Sequence, residues 1–398
     1  MSGHPISTHD VPSAPDILVQ GARQSPATYI CGGFAVRASG DIAAFASIWP
    51  ALSENAAGHA FQRRDHLEIW LETIGAGLHV RPVFISVTNR SGAPVMMLPL
   101  GVTKIHGVKV LGFLDGGVAD YNAPVLFPAA EKLEHSDVIQ IWKTICRAAK
   151  PFDVARLEKM PEHAGRIANP LFNLSQYRWK YSGHALGLQG SGALTSQREL
   201  KESRRKRRRI TALGGLSFGI AESEDEIASI YEIFVRQKSR RYRETLGHDG
   251  FDVPGQKAYY LALTERLPGA QLAYLRCGEE IIATAWSLIA GNRLYYLMAG
   301  YEDGKWRTHS PGWLLLEELV NWSLKNGIEI FDFGIGDEAY KKKWQEHELV
   351  LMGASFPETP LGWLACGASD LYMTAKRVAP PKLKALIKAF VSGRAVQP

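Results

Sequence analysis

Apolar positions along this chain follow two alternating rhythms, and the order of the rhythms occurs twice. In the first half, Leu67, Trp70, Leu71 and Ile74 fall at helical spacing, which predicts a helix over Arg63–Ile74; Asp41–Ala51 carries the same spacing. His79–Thr88, Val95–Thr103 and Val108–Leu114 read as strands, with Asn89-Arg90-Ser91-Gly92-Ala93-Pro94 as the first turn. Glu131–Lys150 reads as a helix with Ile139, Trp142, Lys143 and Cys146 near one face, and Asp153–Glu158 as a closing strand. The second half begins with a strand at Leu216–Ala221 and helices at Asp225–Tyr242 and Gln256–Arg266. Strands at Gln271–Arg276, Glu280–Ile289 and Leu294–Gly300 follow, then a helix at Ser310–Lys325 and a strand at Ile328–Phe333. Ser310 suits the N-cap of that helix, Pro311 its first turn and Gly327 its C′ position. Two copies of one element order predict an α/β chain with an internal duplication.

Composition narrows the class. The chain has 398 residues, 46% hydrophobic and 22% charged, which excludes wholesale disorder and suits two or three domains. No apolar run is long enough for a membrane span. Residues 1–28 are polar and rich in Ser, Pro and His, lack the pattern of a secretion signal, and are expected to form a disordered leader. Cys31, Cys146, Cys277 and Cys366 lie far apart, which excludes a zinc knuckle or a disulfide framework and suits a reducing cytoplasm. The histidines and cysteines show no metal spacing. The formal net charge is +6. It is concentrated in Arg198–Arg209 and in Leu371–Pro398, so the remainder is acidic and nucleic acid is not an expected partner of the whole surface.

Three stretches carry candidate chemistry. Gly304–Gly312 leads a strand into a helix N-terminus, where free N–H groups and the helix dipole favour phosphate, and Lys305 and Arg307 add positive charge. The same pattern describes an ordinary solvated loop with a good cap. Asp332–Trp344 follows the last strand of the second half, with Asp337, Glu338, Tyr340 and Lys341 beside two glycines. Those side chains can move protons or hold an oxyanion, or they can form a solvated basic turn, with Lys341 exposed. Asp120-Tyr121-Asn122-Ala123-Pro124 holds the matching place in the first half, without a basic Gly-rich loop. Trp286, Trp313, Trp322, Tyr295 and Tyr296 read as core.

The chain resembles the GNAT acyltransferases, and more narrowly the CelD-type proteins associated with bacterial cellulose and exopolysaccharide synthesis. The resemblance spans about residues 40–365 and rests on several motifs. Phe61-Gln62 precedes a Trp-bearing helix; Leu98-Pro99-Leu100, Asp120–Pro124 and Ser310-Pro311-Gly312 follow. Phe331-Asp332-Phe333-Gly334 and Tyr340-Lys341-x-x-Trp344 complete the set. It is similar also to the Fem-type aminoacyltransferases, which carry two GNAT-like halves. The resemblance implies tandem GNAT-like domains with mixed sheets flanked by helices. They would be a degenerate acceptor-side domain over 29–192 and a GNAT domain over 193–365, with a basic amphipathic tail over 366–398. It implies acyl-CoA, such as acetyl-CoA, as a co-substrate, with no permanently bound cofactor. Arg307, Ser310 and Gly312 occupy the places of the family's R/Q-x-x-G-x-G/A donor loop, with Lys305 beside them, and Ser310 departs from the glycine. It implies Lys341 as the functional lysine, with Tyr340, Asp337 and Glu338 as further catalytic candidates. Gln62, Asp120, Tyr121 and Asn122 are expected to bind the acceptor, a small molecule or a cell-envelope or polysaccharide precursor. The alternatives are aminoacyl transfer from tRNA and a non-catalytic partner of a polysaccharide synthase. The expected location is cytoplasmic, and the tail is either a helix docked on the protein through its apolar face or a peripheral contact to an anionic membrane. Arg204–Arg209 is a helix face, docked or solvated, a contact with anionic lipid, or a site that steers an anionic donor or tRNA into the cleft between the halves.

Overall fold

A computed structural model describes residues 25–49, 55–189 and 197–368 of the chain. The expected leader up to residue 24 and the tail beyond residue 368 lie outside the described residues. Helices form where apolar residues recur on one face. α1 (Arg64–Trp70) continues into a π turn at Leu71–Gly75. In α2 (His135–Ala149), Val138, Ile141, Trp142, Ile145, Cys146 and Ala149 are buried on one stripe, and the chain enters through a reciprocal cap between Glu134 and Asp137. α3 (Gln197–Gly214), α4 (Glu224–Leu246), α5 (Gln256–Arg266) and α6 (Pro311–Lys325) follow. Ser223 caps α4 through Glu226 N–H, and Gly247 ends it at φ 83°.

Two mixed sheets share one strand order. The first runs Ala27–Cys31, Phe34–Ser39, Arg81–Asn89, Pro94–Ile105, Val108–Phe113, Val154–Pro161, Leu351–Pro357 and Tyr177–Arg178. The second runs Leu216–Ile220, Ala270–Cys277, Glu280–Ala290, Arg293–Tyr301, Ile330–Ile335, Gly183–Gly187 and His347–Leu349. In each, an antiparallel meander is followed by one parallel neighbour. That parallel pairing is short: Val110 and Leu111 against Val154 and Ala155, and Arg293–Tyr295 against Ile330–Asp332. The repeated order makes the expected duplication visible in the topology.

The final strands are exchanged. Gly183–Gly187 comes from the first half and pairs with Ile330–Ile335 in the second sheet. Leu351–Pro357 comes from the second half and pairs with Val154–Pro161 in the first sheet. Sheet membership therefore does not change at one point along the chain. Between the sheets, α1, α4 and α5 form a shared core in which Phe61, Trp70 and Tyr121 pack with Phe234, Tyr259, Trp286 and Tyr295. α2 covers the outer face of the first sheet, and α3 and α6 that of the second.

Several expectations change. The strands Ala27–Cys31 and Phe34–Ser39 were not foreseen, and the first begins inside the expected leader. Their hairpin closes through Gly32 at φ 54°, and exposed positions interrupt their apolar pattern. Of the helix expected over Asp41–Ala51, the described residues 41–49 form only a short 3-10 turn at Ile42–Phe45, capped by Asp41. Helix α2 begins at His135 rather than Glu131, because Pro128–Lys132 forms its own 3-10 turn. Among the described residues, no helix is long and apolar enough to cross a membrane.

Candidate active site between the halves

The parallel strands Arg293–Tyr301 and Ile330–Ile335 stop pairing after Tyr295 and Asp332. Beyond that point the two strands diverge, so their C-terminal ends frame a V. The first strand leads into the 3-10 turn Gly304–His309 and the N-terminus of α6, which therefore lies at the open end. A glycine at the second strand's exit makes room for the first half. Gly334 sits at φ 69°, and a Cβ there would collide with Asp120 Oδ2.

Asp120 and Lys341 meet on one residue of this strand. Ile335 N–H donates to Asp120 Oδ2 at 3.1 Å, and Lys341 Nζ donates to Ile335 C=O at 2.6 Å. Lys341 also pairs with Glu338 at 3.1 Å and is only 4% exposed. The expected exposed lysine is thus a buried one, because the chain turns back after Gly336 and docks Lys341–Trp344 on the second core. Burial raises the Asp120 carboxyl to about 6, with Asp332 adding to the shift; Lys159, Lys341 and the Ile335 N–H oppose it. Lys238 on α4 belongs to the same field. Burial, with the charges of Arg241 and Lys341, lowers its ammonium to about 8, while Glu338 and Asp120 oppose the shift. Lys238 was not foreseen. It lies in a polar stretch of α4, and only tertiary packing brings it to the cleft, its Nζ 4.6 Å from the centre of the Tyr242 ring. Tyr340 is half-buried, and burial, together with the Tyr296, Glu338 and Asp120 charges, holds its phenol well above the usual range.

Asp332 anchors the floor of the V. It is fully buried, accepts from Tyr121 OH at 2.8 Å and from Gly334 N–H at 2.8 Å, and pairs with Arg293 at 3.1 Å. His59, Tyr121 and Tyr295 pack beside it, and His59 Nδ1 lies 3.3 Å from Tyr295 OH. Behind them, at the narrow end of the V, a cavity of about 460 Å³ is lined by His59, His163, Arg293, Tyr295 and Glu348. The other expected acceptor residues are committed to the protein. Gln62 donates to Tyr121 C=O at 2.9 Å, and Asn122 donates to Asp115 at 3.1 Å and to Glu158 C=O at 3.0 Å. Asp337 stands apart, 3.6 Å from His184 Nε2. The structure brings Asp120, Lys341, Glu338 and Tyr340 together and leaves Asp337 outside.

The expected donor loop is built differently from its sequence pattern. Ser310 takes φ 52° and does not cap α6 with its side chain; its hydroxyl accepts from Lys206 Nζ at 3.0 Å. Pro311 has no N–H, and Trp313 N–H and Leu314 N–H both close on Ser310 C=O at 3.0 and 3.2 Å. Gly312 lies against the Tyr301 ring, 3.0 Å from where a Cβ would sit. Lys305 pairs with Glu280 at 2.8 Å, and Arg307, 79% exposed, approaches Asp303 at 4.0 Å. α3 lies over this end. Ser203 and Ile210 are buried, Arg207 pairs with Glu317 and Glu318 of α6, and Arg204, Arg205, Arg208 and Arg209 face solvent. The basic run is thus a docked helix with one cationic outer face.

No curated protein matches the chain. Residues 197–342 match the family described as acetyltransferase (GNAT) domain. Among solved structures, FemX is 12% identical over 78% of this chain and 95% of that one, with a TM-score of 0.52. L-PGS from Bacillus licheniformis is 15% identical, covering 79% and 97%, at 0.47. A tandem GNAT protein from the clavulanic acid biosynthesis pathway is 12% identical, covering 76% and 91%, at 0.41. The V-shaped strand pair lies inside the matched segment: residues 197–342 match an acetyltransferase (GNAT) domain, in a chain whose α/β fold is similar to that of FemX.

Proposed function

We propose that the chain moves an acyl group from acyl-CoA to an amine or hydroxyl of an acceptor bound between its halves, a small molecule or a cell-envelope or polysaccharide precursor as in the CelD-type proteins it resembles. One observation carries the reading: the open V of the second sheet faces Asp120 and Lys341, two groups from opposite halves held on the same residue. The thioester lies in the V, with its diphosphate toward Arg307, Lys206 and the Gly312 N–H. The acceptor attacks the thioester carbon; the new N–C or O–C bond forms as the C–S bond breaks. Asp120, with a pKa near neutrality, takes the acceptor's proton, and the Lys238 ammonium returns one to the departing thiolate. Lys341 fixes the strand end and balances charge beside Asp120.

The test is calorimetric and thermal titration with acetyl-CoA and longer acyl-CoAs. Donor at a hundredfold over its dissociation constant stabilises the protein by about 2.7 kcal/mol, and Arg307→Ala weakens the effect. Absence of binding by every CoA thioester refutes the donor assignment. A second reading then takes its place: aminoacyl transfer from tRNA. What favours it is the crowded α6 N-terminus beside a helix whose outer face carries Arg204, Arg205, Arg208 and Arg209.

A further inference from the structure

The outer side of the first sheet holds a groove of about 1110 Å³, and none of its lining residues belongs to the Asp120–Lys341 site. Its apolar wall is Ile139, Trp142, Leu174, Phe356 and Trp363, with the Trp142 and Phe356 rings 5.3 Å apart. Six cations line it, Lys143, Arg147, Lys150, Arg156, Arg178 and Lys180; Lys150 pairs with Glu358 at 3.1 Å, Arg156 with Glu158 at 3.8 Å and Arg178 with Glu348 at 3.1 Å, which leaves a net positive rim. Beside the groove, the helical segment 360–368 exposes Leu361, Trp363 and Leu364, with Trp363 67% and Leu364 71% exposed.

We propose that this face docks on an anionic phospholipid bilayer and admits one lipid, its acyl chain against the apolar wall and its phosphate among the cations. Apolar wall and cationic rim each match one part of such a molecule. A soluble anion leaves the apolar wall wet. The chain's own C-terminal segment is a poor occupant by charge: from Leu371 onward it has six Lys and Arg and no acid, so it repels the rim. The same composition, beginning five residues after Cys366 in the sequence, suits a shared anionic partner.

The test is co-sedimentation of the full chain with vesicles of phosphatidylglycerol and phosphatidylcholine, against phosphatidylcholine alone. Binding requires phosphatidylglycerol and weakens with added salt. Lys143→Gln with Arg147→Gln lowers it by about tenfold or more, and Trp363→Ser with Leu364→Ser lowers it as well, both at unchanged melting temperature. In a Cys31→Ser background, anionic vesicles protect Cys366 from a maleimide. Equal binding to both vesicles, or groove variants that bind as wild type, overturns the proposal. So does a rise in Cys366 reactivity without vesicles when residues 379–398 are deleted, because that makes the tail the occupant.

Discussion

A carboxyl held near pH 6 by burial shows itself in rate and in stability. The rate of acyl transfer should rise through pH 6 as Asp120 ionises. Asp120→Asn keeps an acceptor for the Ile335 N–H and should lower kcat by about 10²- to 10⁴-fold. The stability sign is opposite to that of a paired carboxylate. The folded state binds this proton more tightly than the unfolded state, so stability falls as pH rises from the unfolded value toward 6. The Asn variant should therefore be at least as stable as wild type at pH 7; a variant that keeps its rate refutes the base assignment. Lys341→Ala behaves differently. It leaves Glu338 and the Ile335 carbonyl without their partner, so about 1–3 kcal/mol should be lost in denaturant titration along with activity. Two buried imidazoles set the acid limit. Burial lowers His59 to about 3 and His66 to about 4, so the unfolded state gains protons first as pH drops below 6.5. The melting temperature should fall from pH 6.5 to 4, and His66→Gln should flatten that slope.

At the scale of elements, the exit of the Ile330–Ile335 strand is the most constrained segment. Gly334 combines a left-handed φ with contact against Asp120, so Gly334→Ala should cost more than about 1 kcal/mol and displace Asp120. Thermal melts and the pH–rate profile read the two effects separately. α3 divides its basic run by helical phase. Arg207 faces α6 and its acids, and its removal should destabilise the protein. Arg204, Arg205 and Arg208 should be neutral for stability when replaced. If the donor is a polyanion, their loss slows its capture, and the defect shrinks as salt rises.

At the scale of the molecule, the exchanged strands tie the halves into one folding unit. Leu351–Pro357 is the last strand but one of the first sheet, between Val154–Pro161 and Tyr177–Arg178, and Gly183–Gly187 holds the same place in the second, between Ile330–Ile335 and His347–Leu349. A chain cut between residues 192 and 193 leaves each fragment with an unpaired strand edge and an exposed half of the shared core. Each fragment expressed alone should aggregate, and co-expression should restore solubility and activity together. Two separately stable fragments would contradict this. The site itself depends on the same arrangement, since Asp120 and Lys341 come from different halves.

What the sequence determined by itself was local and periodic. Helices such as α2 and α6, and the meander strands, follow from apolar spacing and turn residues within each window. The duplication was legible because the order of elements repeats. Asp120, Tyr340, Lys341 and Glu338 were legible as candidates through their motifs. Tertiary structure decided the rest. Strand exchange was invisible because a short apolar run such as Gly183–Gly187 pairs equally well, as a strand, with either sheet. Lys341 became buried only because Lys341–Trp344 folds back on a core formed elsewhere. Lys238 and Lys206 reached the site through helix docking across long stretches of chain, and Asp337 turned away from it toward His184. Side-chain chemistry is written in the sequence; which groups share a low-dielectric site depends on long-range packing, and that packing sets their pKa values.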